Sequence, residues 1–212
     1  MSKWIQTTLI PKNTRTIVRP EYVNKLKERL SSINIDHHKR IIHDHTFEEA
    51  HIYCILNNLS SQQYGPLLEK YFQVRFGYTK NNSSDRTGDL SKNGINIEIK
   101  VSLGGKSYDK FNFVQIRPSH EIKFYILTAY YYSKENADFG GELYIFKILK
   151  YDICYLILRY GDYSHGTIDR NGPITLESLN DSNVINEYSI RPRINDTCWK
   201  DLLKFRIDEK DL

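Results

Sequence analysis

The chain has 212 residues, with 30 Lys and Arg against 26 Asp and Glu and a formal net charge of +4. That length suits one domain with a sizeable core, and the mild positive balance permits nucleic-acid binding without demanding it. No segment approaches the ~20 apolar residues of a membrane span, and the opening MSKWIQTTLIPKN lacks the apolar run of a signal peptide, so the expected setting is soluble and cytoplasmic. Cys54, Cys154 and Cys198 are widely spaced with no CxxC pair. They read as buried apolar residues of a reducing compartment, not as zinc ligands or disulfides.

In chain order, Pro20 opens an expected helix through Leu30, with Tyr22, Val23, Leu26 and Leu30 at helical spacing, suited to packing or dimerisation. His37, His38, His43, His45 and His51 follow. Their spacing matches no helical zinc motif, which favours a polar surface or phosphate contact over a metal site. Thr46 and Glu49 predict a capping box for a helix to about Leu59, with Phe47, Ala50, Cys54 and Ile55 on its inner side. A second helix, from about Ser61 to Phe76, turns Leu67, Leu68, Tyr71, Phe72 and Phe76 inward. A polar stripe through Gln62, Gly65, Glu69 and Gln73 borders that face.

Residues 87–101, TGDLSKNGINIEIKV, read as a β-hairpin around a type I′ turn at Asn93-Gly94. A two-residue loop pairs Lys92 with Ile95, Ser91 with Asn96 and Leu90 with Ile97, and sets Asp89 opposite Glu98, with Cβ atoms ~5 Å apart. Leu90, Ile95, Ile97, Ile99 and Val101 then share a buried face, and Asp89, Asn96, Glu98 and Lys100 share the other. Carboxylates that close repel unless positive charge lies between them. A hard divalent cation such as Mg²⁺, which takes oxygen ligands, supplies it, and Lys100 is placed to steady a phosphate or the attacking water. The plain alternative is a solvated hairpin face.

Beyond the hairpin, Gly104-Gly105-Lys106-Ser107 breaks the strand and lets backbone N–H groups approach a phosphate. Phe111 to Arg117 is an expected strand with Gln115 and Arg117 on one side. A second Glu-Ile-Lys at Glu121 to Lys123 is a weaker rival to the hairpin acids, because Pro118 interrupts the strand before it. Residues 121–132 and 142–158, β-branched and tyrosine-rich, complete a mixed sheet buried on both faces. In the loop at 160–167, Tyr163, Ser164, His165 and Thr167 offer hydrogen-bonding groups suited to base edges. Arg191 and Arg193, held extended around Pro192, can deliver guanidinium groups to guanine or phosphate. A last helix from Asp196 or Thr197 to about Phe205 packs through Trp199, Leu202 and Leu203, with a frayed charged tail after it. The expected class is α/β (α+β), a mixed central sheet flanked by helices.

Gly88-Asp89, eight intervening residues and Glu98-Ile99-Lys100 resemble the PD-(D/E)XK nuclease signature, with Gly88 where the motif has proline. With a looser likeness in QQYGPLLEKY, FNFVQIRP, YGDYSHGT and EYSIRP, the chain resembles a type II restriction endonuclease. The resemblance implies a restriction-endonuclease-like core, Asp89, Glu98 and the Ile99 carbonyl as Mg²⁺ ligands, and Lys100 as the catalytic lysine. It implies Glu69 as an accessory acid that orients Lys100 or helps a second metal. Lys106, Ser107, Gln115, Arg117, Tyr163, Ser164, His165, Thr167, Arg191 and Arg193 are then the expected DNA contacts. The implied activity is hydrolysis of double-stranded DNA at a short palindrome by a homodimer, with a cognate DNA methyltransferase as a separate protein. One nuclease domain over 1–212 follows: a helical part at 1–60 for dimerisation or DNA contact, a catalytic core at 61–158, and the recognition loop and C-terminal helix at 159–212. The alternatives are a repair or recombination nuclease reading DNA structure, and a non-catalytic DNA-binding module.

Overall fold

The local helix signals hold in the computed structural model, which describes residues 45–57, 59–82, 84–104, 109–131, 142–164, 172–183 and 185–212. Thr46 caps α1 (Phe47–Leu56): its hydroxyl accepts the Glu49 N–H at 3.2 Å, and the Glu49 carboxylate accepts the Thr46 N–H at 2.9 Å. α2 (Ser61–Phe76) ends at Gly77, whose φ of 68° provides a left-handed C-cap.

The strands are β1 (Thr79–Lys80), β2 (Leu90–Lys92), β3 (Ile95–Ser102), β4 (Phe113–Ile116), β5 (Phe124–Tyr131), β6 (Glu142–Leu149), β7 (Gly161–Tyr163), β8 (Tyr188–Ile190) and β9 (Arg206–Ile207). Six of them form the central sheet in the spatial order β1-β2-β3-β5-β6-β9. Only the β3–β5 pair is parallel, so the sheet is mixed. A smaller antiparallel sheet, β4-β8-β7, lies beside it. The helices α3 (Lys150–Tyr160), α4 (Leu176–Asn180) and α5 (Thr197–Leu202) complete a mixed α/β fold of the expected class.

Period-two alternation sends the central strands' side chains to two cores. Ile97, Ile99, Ile126, Tyr130 and Ile145 pack with Phe47, Leu68, Tyr71 and Phe72 of α1 and α2. Tyr125, Leu127, Phe146 and Ile148 pack with Phe113, Ile153, Ile157, Tyr188 and Trp199 in the other. Each fully buried large side chain contributes on the order of 1.5–3 kcal/mol, so both faces of the sheet stabilise the fold. All three cysteines are free and buried.

Several local expectations change. Residues 150–158, expected as strand, form α3, because Ile153, Cys154, Leu156 and Ile157 are buried at helical spacing while Tyr151, Tyr155 and Leu158 stay exposed. The expected loop after it begins as β7. Gly161 makes that reversal, since a Cβ there would lie 2.6 Å from the Ile157 carbonyl oxygen. The tail is not frayed: Ile207 and Arg206 pair with Ile145 and Phe146. His51 is a core residue, its Nδ1–H donating to the Phe47 carbonyl at 2.7 Å and its Nε2 accepting from the Thr128 hydroxyl at 3.0 Å. Burial lowers its pKa to about 4, and His45 is buried too, so neither is the surface contact expected. The expected helix from Pro20 to Leu30 and His37, His38 and His43 lie outside the described residues. No helix among the described residues is long and apolar enough to cross a membrane.

Candidate active site

Asn93 and Gly94 adopt φ values of 52° and 74°, and the hairpin register pairs Leu90 with Ile97, Ser91 with Asn96 and Lys92 with Ile95, as the turn chemistry predicts. The ladder stops there. Asp89 donates its N–H to the Ile97 carbonyl at 3.0 Å, and its Oδ2 accepts the Ile99 N–H at 2.9 Å. Instead of simply facing Glu98, Asp89 hooks across the rim of β3. Gly88 permits this with φ of 74°, and a Cβ there would meet the Ile97 oxygen at 2.7 Å. Proline, fixed near φ of about −65°, cannot take that conformation, and a side chain on any other residue would be strained there.

Because β2 pairs only with Ile95 to Ile97, the outer rim of β3 lies open beyond it. In a strand the N–H and C=O of one residue point the same way, so the Ile99 carbonyl faces the rim where Asp89 sits. Glu98 and Lys100 lie against β5, in register with Tyr125 and Leu127. Glu98 is 1% exposed, which overturns the picture of a solvated face. Lys100 Nζ stands 2.6 Å from Glu98 Oε1 in a charge pair that lacks hydrogen-bond alignment; neither carboxylate oxygen has an aligned donor among the described residues. Burial pushes the Glu98 carboxyl above its ordinary range, the Lys100 charge opposes that, and Asp89 adds to it.

On the far side, His120 Nδ1 is 3.8 Å from Glu98 Oε2. Burial, then Arg117 and Lys100, lower the His120 pKa. No spacing rule in the sequence links His120 to the hairpin acids; the parallel β3–β5 pairing brings it there. Among the described residues, no three His, Cys, Asp or Glu side chains gather as a metal cluster. The donor set nonetheless suits a hard cation: Asp89, Glu98 and the Ile99 carbonyl offer oxygen only, and the buried Glu98 oxygens want the positive charge that Lys100 now supplies.

A cleft of about 650 Å³ opens between α2 and β4, walled by Gln62, Glu69, Asp89, Ile99, Lys100 and Gln115. Glu69 thus joins Asp89 and Lys100, and it pairs with Lys80 at 3.1 Å rather than with its neighbour Lys70. Pro66, inside α2, has no N–H to give the Gln62 carbonyl, and both residues line the cleft.

The expected DNA contacts divide. Gln115 reaches the cleft at φ of 57°, in an irregular stretch between Phe113 and Ile116, its N–H donating to Ser164 Oγ at 3.2 Å. Arg117, beyond that irregularity, grips Glu187 at 2.6 Å while its charge also acts on Glu98 and Asp89. Tyr163 and Ser164 are buried in the small sheet, one stacked on Tyr188 and the other donating to its carbonyl at 2.8 Å, so neither is presented to base edges. Arg191 and Arg193 are exposed and paired with Asp162 and Asp109. Lys106, Ser107, His165 and Thr167 lie outside the described residues. The rival acid and lysine, Glu121 and Lys123, are exposed and outside any strand.

No family model, no curated protein and no solved structure matches the chain.

Proposed function

We propose that the protein is a Mg²⁺-dependent endonuclease of the type II restriction class that cuts both strands of a short DNA palindrome as a homodimer. The observation that carries this reading is the buried Glu98 carboxylate, with Lys100 Nζ 2.6 Å from one oxygen, the other oxygen without a partner among the described residues, and the Asp89 charge acting on it. A buried acid left in that state costs stability unless the site uses its charge.

Asp89, oriented by the Ile99 N–H, and Glu98 are the residues to hold the cation, with the Ile99 carbonyl beside them. When bound, Mg²⁺ acidifies water and neutralises charge on the departing oxygen. Lys100, released from Glu98, then meets a phosphate oxygen or orients the attacking water. Glu69, steadied by Lys80, borders the same cleft as an accessory acid. Gln115, Arg191 and Arg193 are the described surface groups offered to DNA, and dimer symmetry matches a two-fold site. The reading implies a cytoplasmic setting and a separate cognate methyltransferase.

The test is digestion of a sequenced plasmid in Mg²⁺, beside EDTA and a folded Glu98→Ala variant, with the ends mapped. Discrete fragments absent from both controls are expected. Nicks only at junctions, flaps or mismatches point instead to a structure-reading nuclease, and binding without hydrolysis points to a DNA-binding module.

A further inference from the structure

We infer that His120 is a positioning residue for Glu98, its Nδ1–H donating to Glu98 Oε2 and so fixing which oxygen the carboxylate presents to Lys100 or to a cation. The inference rests on the proposed function above. Its first support is a mutual vacancy: His120 Nδ1 and Glu98 Oε2 are both buried without hydrogen-bond partners among the described residues, while Oε1 has Lys100. They face each other at 3.8 Å, about 1 Å beyond a charge-assisted hydrogen bond. A small side-chain rotation closes that gap.

Its second support is the frame. The His120 N–H donates to the Arg117 carbonyl at 3.1 Å, while its own carbonyl accepts the Ile122 N–H at 2.9 Å and Lys150 Nζ at 2.7 Å. The Arg117 carbonyl also accepts the Tyr125 hydroxyl at 2.9 Å, and Tyr125 is the residue in register with Glu98 on the adjoining strand. The turn bearing His120 is therefore tied to the strand that backs Glu98. Arg117 gives its Nε–H and an Nη2–H to Glu187, and makes no hydrogen bond to Glu98 among the described residues. Hydrogen bonds from such outer groups fix metal-binding carboxylates, and their loss typically weakens metal affinity 10- to 100-fold.

The experiment measures Mn²⁺ binding to the full chain without DNA, by calorimetry and by the loss of the free-ion paramagnetic signal, for wild type, His120→Ala, His120→Asn, His120→Gln and Glu98→Ala. Loss of about tenfold in affinity is expected for His120→Ala. Rescue by Asn, whose amide nitrogen falls near the Nδ1 position, is expected, and not by Gln, whose amide falls near Nε2. Cleavage should show a fall in kcat with KM for DNA unchanged. Wild-type affinity in His120→Ala with binding lost in Glu98→Ala overturns the inference and leaves the proposed function standing. Wild-type affinity in Glu98→Ala overturns the metal site itself. If His120→Ala does not fold, the Asn and Gln variants decide: equal affinities, or rescue by Gln alone, overturn the Nδ1 assignment.

Discussion

Burial sets the charge of Glu98 against folding stability. Its carboxyl is raised above the ordinary value of 4.5, first by burial and then by Asp89, against the pull of Lys100. The folded chain therefore keeps a proton on Glu98 at pH values where the unfolded chain has lost it, and stability falls as pH rises from 4.5 through the raised folded value. Glu98→Gln should raise Tm by a few degrees at pH 8, with the gain shrinking toward pH 4.5, while abolishing cleavage. An unchanged or lower Tm at pH 8 in thermal melts would show that the Lys100 pair outweighs burial. Lys100→Met should cost about 10²–10³ in kcat if its charge steadies the transition state, read in single-turnover cleavage. Glu98 and Lys100 are legible in the sequence because an Asn-Gly turn and period-two alternation fix the register of β3 from local chain alone, whereas the Asp89 hook, which leaves that register, is not. His120 is not legible, since only the pairing of distant strands brings it to Glu98.

At the scale of elements, the hairpin depends on Gly88 more than on the turn it leads to. Gly88→Ala meets both a left-handed φ of 74° and the Ile97 oxygen at 2.7 Å, and should cost about 2 kcal/mol or more, several degrees in Tm. Because Asp89 follows directly, cleavage measured well below Tm should fall as well; wild-type cleavage there would mean that the Asp89 hook does not need this backbone. The capping box and α2 are readable because their signals lie within four residues of one another. α3 misleads because its β-branched and aromatic residues favour strand, and only burial of Ile153, Cys154, Leu156 and Ile157 together against the second core decides for helix. The small sheet is equally hidden, with β7 and β8 only 3 residues long and β4 paired to β8 past the whole of β5, β6 and α3.

At the scale of the molecule, several surface arginines already have acidic partners: Arg159 with Asp201, Arg191 with Asp162, Arg193 with Asp109 and Arg206 with Glu142. DNA must displace such acids to engage those cations, so exposed pairs worth only about 0–1 kcal/mol each make inexpensive exchangeable contacts. Arg193→Ala should weaken DNA binding and reduce the slope of log affinity against log salt by about 1, measured by fluorescence anisotropy; an unchanged slope removes Arg193 from the interface. Sedimentation equilibrium should return twice the 25.0 kDa chain mass if a dimer reads the palindrome. Fold class is legible at this scale from the alternation of helical and strand patterns, whereas partner geometry is not, because it depends on which surface ion pairs open.

The Asp89 hook has a further consequence for handling the protein. A strand rim with free N–H groups is a template on which another molecule can add a strand, and the Asp89 carboxylate plugs the Ile99 N–H at the rim of β3. Asp89→Ala unplugs it and should drive slow aggregation into β-rich oligomers. Asp89→Asn, whose amide oxygen still accepts from Ile99, should remain dispersed though equally inactive. Light scattering over days of storage compares the two, and, on the proposed reading, the asparagine form is the variant of choice for capturing uncut DNA.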